Sequence, residues 1–228
     1  MKFRTEIKVP KAQFEVDHQS KIMMFGSCFS QNIGAKLSLS KFQVRNSAHG
    51  ILFNPHSINQ ALLDVIGDVN YRKDDLIHWK ERYYSPNHQK ASDENSETVL
   101  NTINQANSDD FQFIQDADVI FITLGTAWIY KYQGEKFVAN CHKIASTEFE
   151  KEKLGVNGIV SNMSRTFEHL FSLNPSAQVV LTISPVRHWK DGAVENQWSK
   201  STLNVAAHEL IRRFDNVHYF PAYELVND

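Results

Sequence analysis

Five short apolar runs, each closed by a glycine or proline corner, constrain this chain more than any other feature. They are "KIMMFG" (21–26), "FQVRNSAHG" (42–50), "DVIFITLG" (118–125), "AQVVLTISP" (177–185) and "NVHYFP" (216–221). The third and fourth are rich in β-branched residues and apolar almost throughout. A strand that is apolar on both sides must be covered on both sides, which is the habit of parallel sheets. No run reaches the ~18 residues that a membrane span needs.

Helical spacing fills the intervals. "FSQNIGAKLSL" follows the first run, and "NPHSINQALLDVI" puts Ile58, Leu62, Leu63 and Ile66 on one stripe. "SETVLNTINQAN" reads as a short helix. "VNGIVSNMSRTFEHLFSL" carries Ile159, Val160, Met163, Phe167, Leu170 and Phe171 at helical spacing, and "SKSTLNVAAHELIRRF" repeats the pattern with Leu203, Ala206, Leu210 and Phe214. Alternating strands and helices in a chain of 228 residues predict one three-layer α/β domain. Two segments break the rhythm. Residues 67–97 are polar and aperiodic, and they hold His78, Trp79, Tyr83, Tyr84 and His88. A loop of that length either walls a substrate groove or is a surface excursion whose aromatics pack locally. Residues 129–145 read as a hairpin around Gln133-Gly134.

The charge balance narrows the function. A net charge of −2 and the lack of a basic stripe argue against nucleic acid. The N-terminus alternates charged and apolar residues and lacks the apolar core of a secretory signal. On that reading Cys28 and Cys141 are free thiols in a reducing compartment, the cytoplasm. Cys28, Cys141, His142 and His188 are ligand types, but no C-x-x-C pair supports a metal site. A nucleotide-binding reading finds no G-x-G-x-x-G or P-loop pattern. No cofactor is implied.

In an open parallel sheet, ligands bind outside the carboxyl ends of the strands. Those ends carry Gly26-Ser27-Cys28, His49-Gly50 with Asn54 beyond, Gly125-Thr126-Ala127-Trp128, Ser184-Pro185-Val186-Arg187-His188, and Pro221-Ala222-Tyr223-Glu224. Parallel strands would bring them to one rim, giving a nucleophile, a base and oxyanion donors, the parts of an acyl-transfer site. A thiol at a helix N-terminus gains from the dipole and from free backbone N–H groups. Each residue also has a plainer role open to it. Ser27 suits a helix N-cap, and Cys28 suits a small buried hydrophobe. His188, with Asp191 as its orienter, either moves a proton or satisfies a loop carbonyl, and Asp191 in "KDG" also reads as a turn. Arg187 either binds a substrate carboxylate or phosphate or is a solvated charge. Cys141-His142 is either a reactive pair or hairpin packing.

The motif "FGSCFSQNIG" resembles the signature of the GSCFA-domain proteins, a bacterial group related to SGNH (GDSL-type) hydrolases. "GILFNP" (50–55), "TLGTAW" (123–128), "NCHK" (140–143), "SPVRH" (184–188) and "ENQWSKS" (195–201) extend the likeness from about residue 3 to the last residue. The resemblance implies a flavodoxin-like SGNH fold with a five-stranded parallel sheet of order 2-1-3-4-5. It puts Gly26 at the first glycine of the nucleophile block, Ser27 at the aspartate and Cys28 at the nucleophilic serine. Gly50 matches the second oxyanion donor. Ala127 stands where an asparagine donor is expected, so Thr126 or Asn54 would have to replace it. The expected unit is one GSCFA/SGNH-like domain over 1–228 lacking the family's C-terminal Asp-x-x-His element. That leaves His188 as the internal base and His142 as second choice. The implied function is an esterase or acyltransferase acting on an acyl ester, with an acylated carbohydrate as one substrate class. The rival is a non-catalytic ligand-binding domain that keeps the rim. Expected partners are a small-molecule or carbohydrate ester, with neither nucleic acid nor membrane.

Overall fold

The apolar runs become strands whose two faces are both buried. The computed structural model describes residues 7–9, 11–139 and 142–227. In chain order the first half is β1 (Lys21–Gly26), α1 (Cys28–Leu39), β2 (Gln43–Ile51), α2 (Pro55–Ile66), β3 (Ile77–Trp79), β4 (Arg82–Tyr84), β5 (Ser92–Asp93) and α3 (Ser96–Ile114). The second half is β6 (Val119–Leu124), β7 (Trp128–Tyr132), β8 (Lys136–Val138), β9 (Phe149–Lys153), α4 (Val156–Leu173), β10 (Gln178–Ile183), α5 (Ala193–Arg213), β11 (Val217–Tyr219) and α6 (Ala222–Asn227).

The main sheet runs β2-β1-β6-β10-β11, and every pairing in it is parallel. Counted within the sheet, the strand order is 2-1-3-4-5, the flavodoxin-like arrangement that the resemblance implied. Met23 and Phe25 of β1, Ile120, Ile122 and Leu124 of β6, and Val179, Leu181 and Ile183 of β10 point into one core. Ile58 and Leu62 of α2, Met163 and Phe167 of α4, and Leu203 and Leu210 of α5 meet them there. The alternate residues Ile22, Met24 and Val180 are buried on the opposite face. That face explains why the strands lack polar alternation.

Four segments differ from the spacing-based expectation. The polar stretch 67–97 is not a bare loop: β3, β4 and β5 form a small antiparallel sheet. Tyr71, Leu76 and Tyr83 pack there with Val99, Leu100 and Ile103 of α3 in a second, smaller core. Strands of two or three residues are too short to show a period. The 129–145 hairpin turns at Gln133 (φ 50°) and Gly134 (φ 75°), and β9 adds to the free edge of β7 to give the order β8-β7-β9. Positive φ at both central residues is what a tight hairpin needs. Helix α3 runs on to Ile114, whose buried side chain reaches the main core. Helix α5 begins at Ala193 rather than near Ser199, because its first turn is largely exposed and leaves no apolar stripe to read. Cys141 lies outside the described residues.

Candidate active site

Corners from four parallel strands converge at one end of the sheet. The chain leaves β1 at Gly26, where φ is +125° and an added Cβ would lie 2.2 Å from the Thr123 carbonyl oxygen. Only glycine passes this point, because the backbone is in a region that other residues rarely enter and β6 is in contact. Ser27 follows as the N-cap of α1, and Cys28 is the first residue of the helix. Ser27 is buried, its side chain makes no capping bond, and its hydroxyl has no partner among the described residues. Cys28 is half-buried, with its thiol free.

Strand β2 ends in a bulge: Met24 pairs with Asn46, whereas Gly26 pairs with Ile51. Gly50 (φ 80°) lies in the surplus and is covered by Gln89, whose side-chain oxygen accepts the Ile51 N–H at 3.0 Å. The chain then crosses the end of β1. Leu52 N–H donates to Gly26 O at 2.8 Å, and Phe53 O accepts from Gly125 N–H at 2.7 Å and Thr126 N–H at 2.8 Å. This crossing leads into Asn54, which caps α2 by accepting the Ser57 N–H at 2.8 Å. The capping oxygen is thereby used.

After β6, Thr126 is drawn inward. Its hydroxyl lies 3.1 Å from that of Ser199, which accepts the Ala127 N–H at 2.7 Å. After β10, His188 sets its ring edge-on to Phe53, with centroids 5.5 Å apart, and its main-chain N–H donates to the Asn196 side-chain oxygen at 2.9 Å. Burial holds the His188 imidazole below the ordinary histidine value, and the charge of Lys200 pushes the same way, while Asp191 opposes them. Asp191 itself is paired with Lys151.

Lys200 and Ser199 were not singled out from the sequence. They lie on the buried stripe of α5, with Asn196, Leu203, Ala206 and Leu210. A lysine at such a position was the available signal. Lys200 is 1% exposed, and its ammonium donates to the carbonyls of Gly125 and Ser184, each at 2.7 Å. It thereby joins the ends of β6 and β10. Burial pushes its pKa down to about 8, and the negative charge available at Cys28 works against that.

Phe53, next to Asn54, thus contacts Thr126 and His188, Lys200 ties the ends of β6 and β10, and Cys28 follows Gly26 at the end of β1. Gly50 stands at the edge of this group under Gln89. The other candidates fall elsewhere. His142 donates to the Ser85 carbonyl at 2.6 Å and packs against Tyr84. Arg187 is exposed, with its guanidinium 5.6 Å from the Trp189 ring. An Asp-x-x-His spacing occurs late in the chain at Asp215–His218, ahead of the segment that the family's C-terminal element would follow. His218 sits within the edge strand β11 and bonds Gln178 at the start of β10, away from the rim. No group of three or more His, Cys, Asp or Glu among the described residues could hold a metal ion, and no described helix is long and apolar enough to cross a membrane.

An open, five-stranded parallel α/β sheet with a Gly-Ser-Cys corner after its first strand defines the class. The chain belongs to the GSCFA family, whose profile matches residues 21–228. No curated protein matches it at a significant level. Two solved structures are similar at low identity. One is a Streptococcus pneumonia protein named after platelet activating factor, at 14% identity and TM-score 0.45, covering 92% of this chain and 69% of that one. The other is a Corynascus thermopiles (Myceliophthora fergusii) carbohydrate esterase family 2 enzyme with a carbohydrate-binding domain. It aligns at 15% identity and TM-score 0.44, over 93% of this chain and 58% of that one.

Proposed function

We propose that this protein is an esterase or acyltransferase that passes an acyl group through Cys28. The observation that carries the reading is the placement of a half-buried thiol at the first residue of α1, just past the Gly26 corner that the segment leading to Asn54 crosses. Ser27 is the poorer nucleophile because it is 1% exposed.

Sγ of Cys28 attacks the acyl carbon. The carbonyl oxygen becomes an oxyanion, and the Cys28 N–H and the Asn54 amide donate to it. Donors fixed before the reaction stabilise developing charge without reorganising. The thiol proton, released as the S–C bond forms, passes through His188 to the departing alcohol as the C–O bond breaks, leaving a thioester. Water or another alcohol then attacks the thioester and gives its proton to His188, the C–S bond breaks, and His188 returns the proton to Sγ. An imidazole held neutral by burial is the form that accepts that proton. The substrate is a carboxylic ester, and acylated carbohydrates are the first class to assay.

The direct test uses short-chain nitrophenyl esters, acetylated sugars and iodoacetamide. In a Cys141→Ser background, Cys28→Ala should abolish both turnover and labelling, whereas Ser27→Ala should leave Cys28 labelling in place. Turnover that survives Cys28→Ala rules out the assignment. One observation favours a second reading, a ligand-binding domain without chemistry: the carboxylate that would orient His188 is paired with Lys151 instead. Saturable ester binding without turnover would support it.

A further inference from the structure

The excursion of residues 67–97 walls a cavity of about 310 Å³ that the acyl-transfer reading leaves unused. One wall is a face of α2, where Ser57, Gln60 and Asp64 recur at helical spacing. Tyr71 and Asn87 of the excursion also line it, and Lys136 and Phe137 of β8 close it. Cys28, Asn54, Thr126, His188 and Lys200 do not line it.

Asp64 is 5% exposed, yet no lysine or arginine pairs with it among the described residues. Neutral donors hold it instead: the Tyr71 hydroxyl at 2.7 Å, the Gln60 amide at 2.8 Å and the Asn87 amide at 3.5 Å. The His49 ring, 3.9 Å from Oδ2, reaches it through the Tyr71 oxygen. A carboxylate has about four acceptor sites, so three donors leave one open. A buried acceptor left open is costly unless a ligand or water fills it. On β8, the Lys136 ammonium donates to the Asp74 and Asp75 carbonyls, each at 3.1 Å, which leaves the third of its N–H groups. The Phe137 ring packs against His56, with centroids 4.0 Å apart, and the pair forms an apolar wall.

We propose that this cavity binds a single neutral sugar ring, with Asp64 accepting from one hydroxyl and Lys136 donating to another. The charges select the class. An anion would meet Asp64, and a cation would meet Lys136. The third charged residue of the lining, Asp75, is exposed, and its carboxylate accepts the Arg72 N–H at 2.7 Å. A hydroxyl both donates and accepts, so it suits a wall that offers a carboxylate oxygen beside amide, hydroxyl and ammonium groups. The C–H groups of the same ring suit the wall made by Phe137 and His56. The volume lies at the low end of the ~300–1,000 Å³ of ligand pockets, which suits one ring rather than a chain. The inference stands apart from the acyl-transfer reading, because it involves neither Cys28 nor turnover.

The test is titration calorimetry of the full chain with free glucose, galactose and mannose, each beside its 2-amino and uronic-acid forms. At least one neutral sugar should saturate with a Kd at or below ~10 mM, and its two charged forms should bind at least ~5-fold more weakly. Failure of all three neutral sugars to saturate by ~100 mM overturns the proposal, as does tighter binding of a charged form. Asp64→Asn replaces an acceptor oxygen with a donor and should weaken the bound sugar at least ~10-fold. Asp64 also holds Tyr71 and Gln60, so a second variant guards against misfolding. Phe137 is exposed on the hairpin, and Phe137→Ala should fold and weaken binding at least ~3-fold. Unchanged affinity in folded Phe137→Ala would place the sugar elsewhere and overturn the assignment. Sugar binding that needs Phe137, in a protein that turns over no ester, would sustain this inference and count against the acyl-transfer reading. Ester turnover without sugar binding would do the reverse.

Discussion

Asn54 accepts the Ser57 N–H at 2.8 Å through its side-chain oxygen, and this bond orients the amide nitrogen that the oxyanion would use. One side chain thus serves the start of α2 and the rim together, and substitution can separate the two roles. Asn54→Asp keeps the capping oxygen but has no N–H to donate. Its melting temperature should stay near that of the parent, while kcat for an ester falls ~10²–10³-fold. Asn54→Ala should lose the same activity and also ~1 kcal/mol of stability, measured by urea unfolding. Unchanged kcat in the aspartate variant would remove Asn54 from the oxyanion site.

Gly26→Ala tests the corner itself. The backbone there has φ +125°, and a Cβ would lie 2.2 Å from a main-chain oxygen that cannot rotate away. Expected losses are at least ~2–3 kcal/mol by urea unfolding, from the strained dihedral and the forced separation of β1 from β6. A variant of native stability would mean that the strand ends are not packed as described.

Much of this arrangement was legible in the residues. Runs such as "DVIFITLG" are apolar on both sides, and burial on both faces of β6 is the physical counterpart of that pattern. The corner at Gly26-Ser27-Cys28 was legible because a strand, a glycine and a helix-starting residue follow in order. The role of Asn54 could be raised only as a replacement donor. Its position depends on Phe53 bonding across β1 to Gly125 and Thr126, a pairing between residues more than seventy apart. Lys200 was hidden for a different reason. A buried lysine looks in sequence like any charged residue on a polar helix turn, and only the stripe through Ser199 and Leu203 marks its face. The small sheet of residues 77–93 left no trace because its strands are shorter than one full alternation.

Ser199→Ala should destabilise the protein without touching the thiol. The Ser199 hydroxyl is the acceptor for the Ala127 N–H at 2.7 Å, in a place where both residues are almost wholly buried. Removing it leaves a buried donor unpaired, which costs ~1–3 kcal/mol. Urea unfolding should show that loss. The Cys28 alkylation rate should stay unchanged, since the Ser199 hydroxyl bonds Thr126 and Ala127 and not the corner at the start of α1.

Stability should fall in mild acid, and His88 should be a measurable source. Its ring stacks on His49 with centroids 4.1 Å apart and meets Tyr71 edge-on. Burial pushes His88 well below the ordinary histidine value, and the neighbouring His49 and His142 push the same way. His49 is itself committed. The Tyr71 phenol donates to Asp64 at 2.7 Å, so it accepts from His49 Nε2, and His49 Nδ1 accepts from Ser47. The folded state therefore keeps His88 neutral, whereas the unfolded chain protonates it near pH 6.5. Below that pH the unfolded state binds the extra proton, so this contribution is complete above ~6.5 and declines as the pH falls toward the folded value. A fully suppressed histidine removes up to ~1.4 kcal/mol per pH unit in that window. Urea unfolding at pH 7.5, 6.5 and 5.5 should show the decline. His88→Asn should make it shallower by about one proton, whatever its effect on stability at pH 7.5. An equal slope in the two proteins would assign the acid sensitivity to other histidines held low by burial, of which His142, His56 and His188 are examples.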